Sequence, residues 1–205
     1  AEIRKKRRRA VALHAELGDP DVGQTLERQF AEHFGRLDAL INNAAIFAPT
    51  PLSELDAASY DHYQAVNARA PLLLTQAFSP WLSAQYDADE PASAGRVVNF
   101  VDMHVLGRPL PRYAAYNASK AALWQITETL AVELAPAITV NAIAPGVVAW
   151  ASDYTDDDRE QYINRVPLKR PGSPEDAAAL TRFLVTEASY MTGEVMRLDG
   201  GRWLT

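Results

Sequence analysis

The stretch NFVDMHVLGRPLPRYAAYNASKAALWQ, residues 99–125, joins the end of an apolar run to the start of an alanine-rich one. The apolar run 96–101 predicts a strand, and the alanine-rich run predicts a helix that continues to about residue 134. Tyr116 and Lys120 are four residues apart, so they lie on one face of that helix. A phenol beside an ammonium ion has a lowered pKa and can exchange a proton near pH 7. A simple surface pair has the same spacing, so the rest of the chain must distinguish the two.

Composition limits the classes of function. The chain has 205 residues, a formal net charge of -6 and no cysteine. This length suits one domain, and the acidic balance disfavours nucleic acid or an anionic membrane as the main partner. We interpret the basic run 4–9 as the last turn of a helix rather than as a nucleic-acid patch. Without a membrane-spanning run, a signal peptide or a metal-ligand spacing, the sequence predicts a cytoplasmic protein with no metal site.

Predicted strands alternate with predicted helices along the chain. The strands are expected at residues 10–17, 37–45, 96–101, 137–146 and 193–201. The helices are expected at residues 19–35, 56–82, 113–134 and 173–189. The strands are apolar runs without period-two alternation, which is typical of a parallel sheet covered on both faces. We therefore predict an α/β fold, a doubly wound parallel sheet in a three-layer αβα arrangement.

Polar and turn-forming residues stand where three of these strands end. Asn42 and Asn43 close one strand, Asp102 follows another, and Pro145 and Gly146 end a third. In open parallel sheets the ligand crevice lies at the carboxyl ends of the strands. These residues are therefore expected to meet near the helix that carries the Tyr and Lys pair.

Six short motifs occur in one order along the chain. They are LINNAA (40–45), VNA (66–68), YNASKAAL (116–123), VNAIAPG (140–146), RPGSPEDAA (170–178) and TGEVMRLDGG (192–201). In these motifs the chain resembles the short-chain dehydrogenase/reductase family over essentially all of its length. The resemblance implies one Rossmann-like domain over residues 1–205, a small-molecule substrate and a homotetramer. It also implies a nicotinamide cofactor, NADP(H), with NAD(H) not excluded.

The resemblance assigns roles to three catalytic positions. Tyr116 would be the proton donor, and Lys120 would lower its pKa and hold the nicotinamide ribose. Asn67 would anchor a water molecule that relays protons to Lys120. The chain itself supports this last role, because Pro71 has no N–H and leaves the carbonyl of Asn67 without its helical partner. A simple helix kink is the alternative.

Further cofactor contacts are implied by the same resemblance. They are Glu16 and Leu17 beside the adenine, Asn43 and Ala44 after a strand, and Pro145, Gly146 and Val148 around the nicotinamide. The family's first strand and helix are joined by a glycine-rich turn that binds the pyrophosphate. No such turn precedes Gly18, the first glycine of the chain. The sheet is therefore expected to lack its first strands and helix.

Asp102 stands where most of the family has a serine, and this resembles the pteridine reductase and dihydromonapterin reductase branch. Phe47 would stack on the pterin ring, and Trp150 follows a turn where substrate loops lie. A carboxylate can accept hydrogen bonds from the N–H-rich edge of a pterin and support protonation of a ring nitrogen. We expect an NADP-dependent pterin or dihydropterin reductase. The alternatives are a carbonyl or 3-oxoacyl reductase of the same family and a non-catalytic Rossmann-like binding protein.

Overall fold

Four parallel strands form a single sheet in the computed structural model, which describes residues 6–150 and 154–205. The strands are β1 (Ala39–Asn42), β2 (Gly95–Phe100), β3 (Ile138–Pro145) and β4 (Val195–Leu198), and they lie side by side in this order. The register pairs Leu40 with Val97, and Val97 with Val140. Each strand thus follows its neighbour in the chain, and a helical connection returns the chain to the same end of the sheet each time.

Helices cover both faces of this sheet. They are α1 (Val22–Ala31), α2 (Ala57–Gln64), α3 (Ala70–Ser83), α4 (Ala114–Glu133), α5 (Asp156–Arg165) and α6 (Pro174–Thr186). A π-helical turn, Ala65–Arg69, joins α2 to α3, and a 3₁₀ turn, Met103–Leu106, follows β2. None of the helices in the described part of the chain combines the length and the apolar character that crossing a bilayer requires.

Alternate residues of the central strands enter two different cores. Val97 and Val140 pack with α3 and α4 in one cluster, whereas Val98 and Ile143 pack with Leu184 of α6 in another. Successive side chains of a strand point to opposite faces, so an uninterrupted apolar run is what a sheet covered on both sides requires. The predicted three-layer α/β fold is therefore confirmed.

Two helices begin where their capping residues predict. The hydroxyl of Ser173 accepts a hydrogen bond from the backbone N–H of Asp176, and Pro174 is the first residue of α6. The carboxylate of Asp56 accepts a 2.8 Å hydrogen bond from the backbone N–H of Ser59 at the start of α2. These bonds satisfy N–H groups that have no partner within the helix.

The beginning of the described chain differs from expectation. Residues 8–16 have no regular secondary structure, so the predicted strand 10–17 is wrong. A strand needs a hydrogen-bonded neighbour, and in the described sheet β1 pairs only with β2. The predicted helix end at 4–9 is not found either. Residues 6 and 7 form a turn, with Arg7 at a φ of 57°, and residues 4 and 5 lie outside the described residues.

Candidate active site

The carboxyl ends of β1, β2 and β3 open onto two adjoining cavities. The larger has a volume of about 870 Å³ and the smaller about 350 Å³. Asp102, Tyr116, Pro145 and Ala149 line both of them. The tyrosine of the predicted catalytic pair therefore lies where the two cavities meet.

Tyr116 and Asp102 form the central polar contact of this region. The Tyr116 hydroxyl donates a 2.7 Å hydrogen bond to Oδ2 of Asp102. The other carboxylate oxygen, Oδ1, accepts a 2.8 Å bond from the backbone N–H of His104 and so caps the 3₁₀ turn. Because both oxygens are engaged, the carboxylate is held in one orientation relative to the phenol.

The pKa of Tyr116 is shifted in the opposite direction to the sequence-based expectation. Burial raises it well above its ordinary value, and the negative charge of Asp102 and the hydrogen bond to it raise it further. A carboxylate beside a phenol disfavours the phenolate, whereas a neighbouring ammonium would favour it. Burial is the larger cause and the carboxylate adds to it, so the pKa of Tyr116 keeps it a protonated hydroxyl at neutral pH.

Lys120 lies one helical turn after Tyr116 and is buried, with 2% of its surface exposed. Its ammonium donates a 2.6 Å hydrogen bond to the carbonyl oxygen of Phe100, at the end of β2. Burial lowers the pKa of Lys120 to about 8, although the nearby Asp102 opposes the shift. An amine with this pKa gains and loses a proton near physiological pH, as a proton-relay group must.

Asn67 lies in the π-helical turn and is fully buried, at 0% exposure. Its side-chain oxygen accepts a 2.9 Å bond from the N–H of Ile46, and its amide donates to the carbonyl of Ile46 (3.1 Å) and to the hydroxyl of Ser119 (3.0 Å). The side chain therefore fixes the loop after β1 to α4. The expected kink before Pro71 takes the form of this π-helical turn, and the water-relay role of the Asn67 carbonyl stays a prediction.

Phe47 lies on the wall of the smaller cavity and is 41% exposed. Its ring stacks on Tyr113, with centroids 4.8 Å apart, and meets the edge of the Tyr116 ring at 4.9 Å. An exposed ring supported from behind by a second ring offers a flat surface to a heterocycle. The expected contact of Phe47 with substrate stays a prediction.

Trp150 does not line either cavity in the part of the chain that the structure describes. Its ring meets the edge of the Tyr162 ring at 5.6 Å. Tyr162 itself lines the smaller cavity, and its hydroxyl accepts a 2.9 Å bond from the N–H of Val147. A Cβ at Gly146 would lie 2.6 Å from that hydroxyl, so only glycine allows this approach. Trp150 therefore packs behind Tyr162, and its substrate contact stays a prediction.

The residues expected to bind the cofactor are only partly brought together. Asn43, Pro145 and Val148 line the larger cavity with Tyr116 and Lys120. Gly146 lines the smaller one. Three others, Glu16, Leu17 and Ala44, are not among the described residues that line either cavity. Their contacts stay predictions.

Several residues of the smaller cavity were not predicted from the sequence. Tyr162, Arg165 and Arg202 line it, and they come from α5 and from a 3₁₀ turn, Arg202–Leu204, near the end of the chain. No local pattern connects these positions, because more than 30 residues separate the two elements. Only the packing of the C-terminal turn brings them together.

Comparison with known proteins finds relatives that match nearly the whole chain. A family profile described as enoyl-(acyl carrier protein) reductase matches residues 1–202. The solved structure of acetoin dehydrogenase from Enterobacter cloacae superposes with a TM-score of 0.84 and is 33% identical in sequence. That match covers 99% of this chain and 79% of the other.

Relatives that are named for different activities are similar to this chain to a comparable degree. The 3-oxoacyl-[acyl-carrier-protein] reductase of Synechocystis is 34% identical over 98% of this chain and 79% of its own length. Pteridine reductase 1 of Leishmania tarentolae is 35% identical over 84% of this chain and 65% of its own length. Overall identity therefore does not choose between a pterin and a ketone substrate.

Proposed function

Because the chain belongs to the short-chain dehydrogenase/reductase family, we propose that it is an NADPH-dependent reductase of a pterin or dihydropterin. The observation that carries this proposal is the 2.7 Å hydrogen bond from Tyr116 to Asp102 where the two cavities meet. It pairs a proton donor with a carboxylate at one point. A carboxylate suits a substrate that presents N–H donors better than one that presents a bare ketone oxygen.

The larger cavity fits a nicotinamide cofactor by its size and by the groups at its wall. Its volume, about 870 Å³, falls within the range of cofactor and ligand sites. Asn43, Pro145 and Val148 would contact the nicotinamide half, and Lys120 supplies a cationic donor for a ribose hydroxyl. When bound, this cofactor supplies the hydride.

The chain's own residues supply the proton. Tyr116 carries its proton at neutral pH because its pKa is raised by burial and by Asp102. It can donate that proton to the nitrogen of a C=N bond as the adjacent carbon is reduced, which leaves a phenolate. Lys120, with a pKa of about 8, then returns a proton from solvent to Tyr116. Asp102, released from the Tyr116 hydroxyl, accepts a hydrogen bond from a ring N–H of the substrate.

The smaller cavity has the shape and chemistry for a flat heterocycle. Its volume of about 350 Å³ is at the lower end of the usual range for small-molecule sites. Phe47 provides an exposed aromatic face beside Tyr116. A pterin placed on that face would direct its N–H-rich edge to Asp102. This combination of ring and carboxylate supports a pterin over a simple ketone.

A substrate panel with NADPH tests the proposal. The purified protein is assayed with dihydropterins, dihydrofolate, an activated ketone and a 3-oxoacyl thioester at equal concentrations. We expect the highest kcat/KM with a dihydropterin. Turnover restricted to the ketone or thioester would instead support the carbonyl reductase alternative, to which the similarity with the Synechocystis enzyme also points. If the protein binds NADPH but reduces none of these substrates, the proposal of a pterin or carbonyl reductase fails.

A further inference from the structure

Three arginines from separate parts of the chain meet beside the smaller cavity. Arg108 follows the 3₁₀ turn after β2, Arg165 is the last residue of α5, and Arg202 begins the C-terminal 3₁₀ turn. Burial, together with the positive charges of Arg108 and Arg165, lowers the pKa of Arg202 below its ordinary value. Arg108 and Arg165 are therefore each close enough to Arg202 to repel it.

Packing of the C-terminal turn holds this arrangement together. The Trp203 ring lies against Gly107, and a Cβ at Gly107 would be 2.8 Å from the ring. Gly107 also has a φ of 123°, which disfavours other residues. This close approach brings Arg202 towards Arg108, on the loop that begins with Asp102.

Within residues 6–150 and 154–205 the positive charge of this cluster is not neutralised by an ion pair, although the Asp199 carboxylate is near enough to raise the pKa of Arg202 in part. None of the three arginines forms an ion pair there, whereas Arg36, Arg159, Arg170 and Arg182 each do. Arg202 donates to the carbonyl of Thr205 (3.0 Å), but its Nε is buried without a hydrogen-bond partner. A buried donor without a partner is costly, and like charges add to that cost.

Two carboxylates of this region, Asp199 and Asp158, already accept hydrogen bonds from other groups. Asp199 accepts bonds from the N–H groups of Gly201 (3.0 Å) and Trp203 (2.8 Å). Asp158, on the wall of the smaller cavity, accepts bonds from the N–H (3.0 Å) and hydroxyl (2.6 Å) of Thr155. Neither carboxylate forms an ion pair with the arginines, and Asp199 offsets only part of their charge, so the site retains a capacity for an external anion.

We infer that the smaller cavity accepts a substrate with a carboxylate or phosphate group, bound by Arg165 and Arg202 while its reducible bond lies at Tyr116. The inference rests on the proposed reductase function and defines its substrate class. Tyr116, Arg165 and Arg202 all line the same cavity of about 350 Å³. Arginine forms paired hydrogen bonds with carboxylates and phosphates, which makes it suited to this recognition.

Tyr162 connects the two ends of this site. Its hydroxyl feels the charges of Arg202, Asp199 and Asp102, and its ring lines the same cavity. A substrate that spans the distance would keep its anionic group at the arginines and away from the Asp102 carboxylate. The charge distribution therefore fixes one orientation for an anionic substrate, since the reverse orientation would place like charges together.

Matched substrates that differ in charge test the inference. We would measure kcat/KM for neutral dihydroneopterin, for dihydroneopterin monophosphate and for dihydrofolate, and for a 3-oxo acid beside its methyl ester. The phosphate and carboxylate arms identify which anion is preferred. Wild-type protein is expected to prefer the anionic member of each pair. The Arg202→Met and Arg165→Met variants should lose about tenfold or more with that member and change little with the neutral one.

Two controls make the outcomes decisive. Arg36→Met removes an exposed arginine paired with Asp38 and should leave the preference unchanged. Arg165 is exposed, so its variant remains informative if Arg202→Met fails to fold. Equal turnover of charged and neutral substrates, or equal losses with both in the variants, overturns the inference while the reductase function stands. If no substrate turns over, the proposed function fails, and calorimetric binding of dihydrofolate against dihydroneopterin then decides whether the anion site exists.

Discussion

The hydroxyl of Tyr116 lies 2.7 Å from Oδ2 of Asp102, and the ammonium of Lys120 is bonded to the carbonyl of Phe100. The acid of the site is therefore held by a carboxylate rather than activated directly by the lysine four residues along. With its raised pKa Tyr116 keeps its proton at neutral pH, and in the proposed mechanism Lys120 has the separate role of reprotonating it. The following predictions test these roles one at a time.

Tyr116→Phe should reduce kcat by about a hundredfold or more with little change in stability. Phenylalanine keeps the ring and its edge contact with Phe47 but removes the only proton that the ring can donate. Steady-state kinetics and circular dichroism check both parts. Tyr60→Phe, at an exposed position on α2, is the matched control and should retain full activity. Near-normal turnover of Tyr116→Phe would exclude the proposed acid.

Asp102→Asn should leave the fold intact and cut pterin reduction by about a hundredfold, because a charge-assisted bond to the substrate is lost. Asparagine Oδ1 can still accept the N–H of His104, so the cap of the 3₁₀ turn is retained. The pKa of Tyr116 should fall, since the negative charge that raises it is removed. Spectrophotometric titration of the phenol follows this shift directly.

Asp102→Ser distinguishes the two enzyme alternatives. If the substrate is a pterin, this variant should lose pterin reduction and retain or raise reduction of an activated ketone, because a carboxylate disfavours a developing alkoxide. Both substrates are assayed with one enzyme preparation. Full pterin activity in Asp102→Ser would remove the reason for assigning this carboxylate to pterin recognition.

Lys120 should make stability depend on pH. Its pKa is about 8 in the folded protein against the ordinary 10.5 in the unfolded chain, so between these values the unfolded chain binds the extra proton. The contribution of Lys120 to the free energy of unfolding therefore increases as the pH rises from about 8 to 10.5. Relative to Lys120→Met, the wild-type free energy of unfolding should increase by on the order of 3 kcal/mol from pH 7 to above pH 10. Urea denaturation at both pH values measures it.

The matched control for this experiment is Lys6→Met, which removes an exposed ammonium. Its difference from wild type should stay constant over the same pH range, because that charge remains in water in both states. A constant difference for Lys120→Met as well would show that the ammonium is not desolvated on folding.

Phe47→Ala should raise the KM for a pterin and leave the KM for NADPH nearly unchanged. A stacked ring contributes on the order of 1 kcal/mol beyond the area it buries. Phe47→Tyr keeps the flat face and should retain affinity. A parallel rise in both KM values would indicate that Phe47 supports the whole site through Tyr113 and Tyr116 and does not contact the substrate itself.

Asn67→Ala should destabilise the protein by about 3 kcal/mol, since in a buried place it leaves the N–H of Ile46 without a partner and removes the donor to the Ser119 hydroxyl. Thermal denaturation measures the loss. If the backbone carbonyl of Asn67 alone anchors the relay water, kcat at low temperature should survive in the folded fraction. A large fall in kcat of the folded fraction would show that the hydrogen bonds from the Asn67 side chain to the loop after β1 are needed to position the site.

Three features could be predicted from the sequence: the alternation of strands and helices, the position of Tyr116 and Lys120 on one helix face, and the convergence of strand ends. These features follow from local periodicity and from the topology of parallel sheets. The predicted strand at residues 10–17 was wrong, because a strand also needs a hydrogen-bonded neighbour and apolar character does not supply one. Hydrophobic periodicity indicates which face of a helix or strand a residue occupies. Strand pairing depends instead on which segment lies beside the strand in the folded protein.

Which side chains act on one another follows from the tertiary structure and not from the sequence pattern. Asp102 and Tyr116 are separated by a turn and a loop whose conformation no local pattern predicts, and burial of the phenol together with their contact reverses the expected shift of its pKa. The arginines 108, 165 and 202 meet because Trp203 packs against Gly107. The reason is physical: hydrogen bonds and charge interactions act over a few ångströms of space, and distance along the chain does not fix that separation.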